Sequence, residues 1–214
     1  MKVLIPVLIT LPLALAAQPR LGAGLKFGIP FQGWFEDVQG REFSFDASRG
    51  WAVGPALELR LIGGVSVEAS GLYRQVGRDA GGGYSIASFS DRERGYSWEF
   101  PLVARVRLPL RFAGFRPLLE GGPAVNWLRT HTGGIHTAII ASQSSFITVP
   151  VAVHSSANDL TPGVTAGGGL ERPLGPLRVS LDVRYTRWKT GYCSAEDLRC
   201  IALNQGALQL GIGF

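Results

Sequence analysis

The sequence predicts an all-β protein: an eight-stranded antiparallel barrel that crosses a membrane. Three observations carry this expectation. Runs of alternating apolar and polar residues recur from Leu21 to the carboxyl terminus, the pattern of strands with one apolar face. The last run places Leu208, Leu210, Ile212 and Phe214 on one face and Gln209, Gly211 and Gly213 on the other, so the chain stays apolar on one side to its final residue. The composition, with 29 glycines and a single methionine, accompanies weak helical periodicity. No segment beyond the amino terminus is long and apolar enough for a membrane helix, so a membrane-embedded chain must close its sheet.

The amino terminus has its own logic. Lys2 precedes an almost wholly apolar stretch, Val3 to Leu15, and Ala14-Leu15-Ala16 offers a small-residue cleavage site. The stretch is shorter than the ~20 residues a membrane helix needs, and Pro6 and Pro12 interrupt it. Residues 1–16 are therefore expected to be a secretory signal peptide and residues 17–214 the barrel domain. No Cys follows the cleavage site, which argues against a lipid anchor.

Eight strands follow in order. The first, about Leu21 to Ile29, sets Leu21, Ala23, Leu25, Phe27 and Ile29 outward and Lys26 with three glycines inward. The second turns Trp51, Val53, Pro55, Leu57 and Leu59 outward. After a tight Gly63-Gly64 turn, the third shows Val65, Val67, Ala69, Gly71 and Tyr73. The fourth is the clearest, with Tyr96, Trp98, Phe100, Leu102, Ala104, Val106 and Leu108 on one face. The fifth shows Phe115, Pro117, Leu119, Val125 and Trp127. The sixth spans about Leu160 to Leu170, the seventh shows Leu177 through Tyr185, and the eighth ends at Phe214.

Short links at 61–64, 109–114 and 171–176 alternate with long ones at 30–49, 75–95, 128–159 and 189–203. Membrane barrels have this asymmetry, with long loops outside the cell. Aromatics support the same orientation. Trp51, Tyr73, Tyr96, Trp98, Trp127, Tyr185 and Trp188 fall at strand ends beside the long links, as in an interfacial girdle. Phe115 and Phe214 fall at the opposite ends. Within 128–159, the segments Ile135 to Ala141 and Ser145 to His154 are β-prone. They form either a hairpin above the membrane or two further spanning strands, which would make ten. The polar break Gln143-Ser144-Ser145 and the poor lipid-facing pattern favour eight.

The inward positions are charged. Glu58, Arg60, Glu68, Arg74, Glu99, Arg105, Arg107, Arg116, Glu120, Asp182 and Arg184 are assigned to the lumen. Eight strands enclose only enough space for their own side chains. Acids and arginines there are expected to pair and plug the barrel, a polar core in place of a hydrophobic one. The alternative is a small low-conductance channel whose charges set selectivity.

Other candidate chemistry is sparse. Cys193 and Cys200 share the last long link, and in an oxidising compartment they read as a disulfide. His131, His136 and His154 match no zinc spacing and read as surface histidines, so no metal or cofactor is expected. Gly81-Gly82-Gly83 reads as a flexible loop tip, and Gly167-Gly168-Gly169 as room for bending or close packing; neither precedes a phosphate-binding helix. The formal charge of +5 is interspersed, as in Asp91-Arg92-Glu93-Arg94, which argues against a nucleic-acid partner.

Three segments carry a family likeness: Glu99-Phe100-Pro101-Leu102-Val103-Ala104-Arg105, Asp182-Val183-Arg184-Tyr185-Thr186-Arg187-Trp188, and Asn204 to Phe214. With them the chain resembles the small outer-membrane β-barrel domain family, the OmpA/OmpX-like group of Gram-negative cells. The resemblance implies a place in the outer membrane, contact with its lipid and lipopolysaccharide, and a non-enzymatic structural or surface-interaction role through the extracellular loops. It also implies that Leu208, Leu210, Ile212 and Phe214 form the signal presented to the barrel-assembly machinery, although position 212 is Ile where an aromatic is common. A closed barrel has no free edge and can stand as a monomer. His154-x-Ser156 is similar to the pair in outer-membrane lipid A deacylases. Here two more strands follow it and the only nearby acid is Asp159, so catalysis is not expected.

Overall fold

The computed structural model describes residues 20–31, 43–46, 48–84, 87–142, 145–189 and 203–214. The expected signal peptide, Cys193 and Cys200 lie outside these residues.

Among the described residues there are ten strands: β1 Arg20–Pro30, β2 Phe43–Asp46, β3 Ala52–Arg60, β4 Val65–Ser70, β5 Leu72–Tyr84, β6 Ala87–Arg107, β7 Arg116–Ser142, β8 Ser145–Leu174, β9 Leu177–Trp188 and β10 Asn204–Gly213. All pair antiparallel. The sheet closes because β1 pairs with β10 (Leu25 opposite Ile212) and, on its other side, with β3 (Leu25 opposite Pro55). Counting β4 and β5 as one interrupted strand, eight strands form the ring.

The interruption has a simple cause. Gly71 N–H donates to the carbonyl of Pro55 at 3.0 Å. Pro55 has no N–H to return the bond, so the ladder breaks there. Below the break β4 pairs with β3 and β6; above it β5 continues along β6.

Short turns close one end. Gly63 and Gly64 take φ of 69° and 83°, and Ala113-Gly114 take 50° and 82° between β6 and β7. These left-handed values suit glycine, and Ala113 is the one non-glycine that adopts them among the described residues.

At the other end the strands outrun the ring. β7 and β8 pair without a break from Arg116–Glu171 to Ser142–Ser145. The 128–159 region is therefore a hairpin extending two ring strands, and the spanning count stays at eight. The 75–95 region is also regular. Gly81, Gly82 and Gly83 pair with Ser90, Phe89 and Ser88, so these glycines belong to β5 and are not a loop tip. Residues Phe43–Asp46 of β2 add a further, unforeseen strand on the edge of β5. Each extension satisfies its backbone groups on a neighbouring strand, which an irregular loop would have to do with water.

The exterior is apolar. Leu21, Leu25, Leu57, Leu102, Leu119, Val164, Leu181, Ile212 and Phe214 all stand exposed on the outer face. Tyr73 packs against Trp98 with ring centroids 5.3 Å apart, Tyr96 against Trp127 at 6.1 Å, and Phe27 against Trp51 at 6.4 Å. These aromatics form the expected girdle. Trp188 does not join it. It shares parity with the inward Arg184 and Thr186, is 2% exposed, and its ring lies where a Cβ on Gly163 would stand.

Candidate functional site

Inward positions alternate with lipid-facing ones on every strand, so the lumen collects one residue in two, and most of the buried side chains there are polar. Its centre is an ion cluster. Arg105 on β6 directs Nη1 to Glu68 at 2.7 Å, Nε to Glu120 at 3.2 Å and Nη2 to Asp182 at 3.1 Å. Arg184 on β9 donates Nε to Glu120 at 2.8 Å. Lys26 Nζ lies 2.5 Å from Glu68 and 3.8 Å from Asp182. Three cations thus face three carboxylates, all buried. Full pairing of this kind is what makes buried charge tolerable.

Glycines make the space. A Cβ on Gly211 would meet Ser180 Oγ at 2.6 Å, and one on Gly169 would intrude on Asp182 Oδ1. Ser180 Oγ in turn donates to Asp182 at 3.0 Å. The Gly167-Gly168-Gly169 run therefore serves close packing.

Toward the short turns, Arg107 bonds Glu171, Glu58 and Ser66 Oγ. Arg60 joins Glu58 at 3.1 Å and donates to the Phe214 carbonyl at 3.0 Å, tying the last residue into the network. Arg178 stands 3.7 Å from Glu171, and Arg116 is half-buried opposite it in register. Toward the hairpins, Arg74 donates to the carbonyl of Arg49 at 2.9 Å. Ser97 donates to Asn126 at 2.6 Å, and Glu99 lines the lumen beside Thr186.

The structure thus places all of the sequence-assigned lumen charges inward, brings Lys26 and Arg178, which the alternation also turned inward, into the network, and adds Glu171. Lys26 was readable from parity in β1 but stood alone among glycines. Glu171 was hidden because β8 runs past Leu170 into what reads as a turn. The network leaves two internal cavities, about 40 Å³ on the hairpin side and about 50 Å³ on the turn side. A water needs ~10–15 Å³ of such volume, so each has room for a few waters at most. The central ion cluster lies between them.

Outside the ring, His131 and His154 share the outer face of the β7–β8 hairpin, with His131 opposite Ser156. His136 faces the other way, its Nε2 2.9 Å from Asp91. The three histidines do not converge. Asp159 has opposite parity to His154 and Ser156, so it cannot orient that histidine. On the outer face of β5, Asp79 takes two contacts from Arg94, at 2.8 and 2.9 Å. The Arg94 guanidinium holds the Asp79 carboxyl below the usual carboxylate range.

A closed antiparallel ring with an apolar exterior and an ion-paired interior defines a membrane-spanning β-barrel protein. No protein-family model and no curated protein matches the sequence. Among solved structures, the chain is similar to the N-terminal β-barrel domain of Pseudomonas aeruginosa OprF (12% identity, 92% of this chain and 98% of that one, TM-score 0.44). It is also similar to Neisserial surface protein A (10%, 90% and 95%, 0.44) and to the attachment invasion locus protein Ail of Yersinia pestis (13%, 90% and 94%, 0.36). The barrel assignment rests on the ring and its two faces.

Proposed function

We propose that the protein is a sealed outer-membrane barrel that serves envelope structure and surface contact through its extracellular hairpins. The observation that carries this reading is the filled lumen. Its central cations and carboxylates pair with one another, and the cavities on either side have room for only a few waters each. Surface contact is supported by the sheet of β2, β5, β6, β7 and β8, which continues beyond the girdle and exposes polar residues such as Arg92, His131 and Ser156 beside apolar ones such as Ile135 and Val151. The signal peptide, the carboxyl-terminal assembly signal and the monomeric state belong to the same reading.

Single-channel recording of the refolded protein in a planar bilayer tests it, after a heat-dependent gel shift has established folding. A silent bilayer is the expected result. Reproducible current steps would replace the sealed barrel with a small channel.

A further inference from the structure

Above the ring the sheet has an edge again. β9 pairs with β8 from Leu174–Leu177 up to Gly163–Trp188 and ends there, while β8 continues to Ser145 with β7 on one side. Among the described residues no strand lies on its other side. Hydrogen-bond parity shows which groups face that side. The Pro162 carbonyl accepts from the Lys189 N–H at 2.8 Å, on the β9 side. The β7–β8 register runs without a bulge from Arg116–Glu171 to Ser142–Ser145. The even-numbered residues of β8 therefore keep their backbone N–H and C=O groups on the side of Pro162 all the way up. Ala152, His154, Ser156, Asn158 and Leu160 turn these groups to the open side, and all five residues are exposed. Pro150 has the same parity and lacks an N–H, so it ends the run of donors without disturbing the β7 ladder.

Such an edge is normally blunted by lysine, proline, a bulge or shortness. Residues 151–160 have none of these and span ~30 Å at ~3.3 Å per residue. A cleft of about 380 Å³ lies at the foot of the edge, lined by Val164, Trp188 and Leu203 together with Arg187 and Lys189. Trp188 Nε1 is buried without an acceptor among the described residues. Basic side chains continue up the outer face, where Arg129 stands opposite Asn158 and His131 opposite Ser156. Asp159 is the one acid of β8 above Glu171, and its parity puts it on the inner face.

Donors and acceptors repeating at strand spacing are satisfied by an extended chain and not by a compact ligand. We propose that β8 from Ala152 to Leu160 takes an extended, acidic segment of another protein as an added strand, with an apolar side chain of that segment seated in the cleft. An antiparallel strand runs upward here, in line with β9. Its amino end carries the anchor at the foot, and its acids on the outer face meet Arg187, Lys189 and Arg129. The inference rests on the surface-contact reading above, which it makes specific, and it is independent of whether the lumen conducts.

The probe is a fluorescent peptide that alternates glutamate with threonine and has phenylalanine at its amino end. It is titrated onto the full barrel in phosphatidylcholine nanodiscs and read by anisotropy, with saturable binding expected. Two further copies carry N-methyl groups on alternate amides, one in each phase. One copy should bind as before and the other about tenfold more weakly, because only alternate amides of an added strand face the edge. Ser156→Pro should weaken the unmethylated peptide about tenfold, the loss of one hydrogen bond, and leave the heat-dependent gel shift in place. Pro150 shows that β8 accepts proline at this parity. If the variant does not refold, the methylated peptides carry the test alone. Replacing glutamate by lysine in the peptide should also weaken binding about tenfold. No binding of the acidic peptide, equal binding of the two methylated copies, or equal binding of the lysine peptide overturns the proposal. A native barrel that sediments as a dimer, and as a monomer after Ser156→Pro, would give the edge to a second copy and overturns it too. A silent bilayer without peptide binding removes the added strand alone. Current steps with peptide binding intact would remove the sealed-lumen reading alone.

Discussion

Arg107 on β6 reaches past β7 to Glu171 on β8, its Nε and Nη2 each donating to one carboxylate oxygen at 2.9 Å. The two strands are not neighbours in the ring, so this bidentate pair braces the wall from inside. Arg107 also holds Glu58. Its removal leaves the buried Glu171 and the half-buried Glu58 with the more distant or more exposed Arg178 and Arg60.

Arg107→Leu is therefore expected to cost about 3 kcal/mol, because an uncompensated buried charge is the expensive outcome. Glu171→Leu should cost less, since Glu58 still faces Arg107. The double variant should cost clearly less than the sum of the two. Urea unfolding of the three barrels in lipid vesicles measures this. Strict additivity would mean that the brace carries no coupling.

Asp79 and Arg94 give a pH-dependent contact outside the membrane. The arginine depresses the Asp79 carboxyl in the folded state. A depressed folded value means the contact stabilises the hairpin above the unfolded aspartate value, ~3.9, and loses that effect as pH falls through the lower folded value. Amide exchange from Gly77 to Gly81 should thus stay slow down to about pH 4 and quicken below it. Arg94→Gln should raise the Asp79 titration toward its ordinary value, with Arg92, 3.5 Å away, keeping part of the depression, read by NMR. An ordinary titration in the native protein would show that the contact is not held in solution.

Much of this architecture was legible because membrane barrels write two environments into one alternation. In β6, the run from Tyr96 to Leu108 assigned every side chain to lipid or lumen. Parity also brought Arg105, Glu120 and Asp182 inward from three strands, though not which atoms would meet. Elsewhere the pattern lost its signal. Beyond the girdle the inner face of β5 and β6 carries Arg78 and Glu93 while the outer carries Asp79 and Arg94, so apolar–polar alternation no longer marks a strand there, and the extensions read as loops. Trp188 was misplaced because aromatic type outweighed parity; the inward Arg184 and Thr186 already fixed its side. The break at Gly71 was hidden because its cause, Pro55, lies on the neighbouring strand.

Cys193 and Cys200, in the link between β9 and β10, give a covalent expectation. If they are joined, a maleimide reagent should label neither cysteine in protein recovered from the oxidising compartment and both after reduction. Labelling of either before reduction would rule the bridge out. Because the ring strands are formed without residues 190–202, Cys193→Ser should leave the heat-dependent gel shift in place.

Two glycines on the lumen face separate close packing from mere smallness. Gly169 faces Asp182, and an added Cβ would press on both the Asp182 carboxylate and the Leu181 carbonyl. Asp182 is wholly buried and held by Arg105 and Ser180, so it has nowhere to retreat. Gly28 also faces inward, but a Cβ there would find its nearest neighbour, Gln209 Cγ, at an ordinary 3.7 Å. Gly169→Ala is expected to destabilise the barrel by about 1–3 kcal/mol through overpacking. Gly28→Ala should be neutral or should stabilise by about 0.4–1 kcal/mol, because alanine restricts the unfolded chain. Urea midpoints of the two variants decide the matter. Equal midpoints would mean that the ion cluster has slack, and that the glycine run in β8 answers to something other than the packing of Asp182.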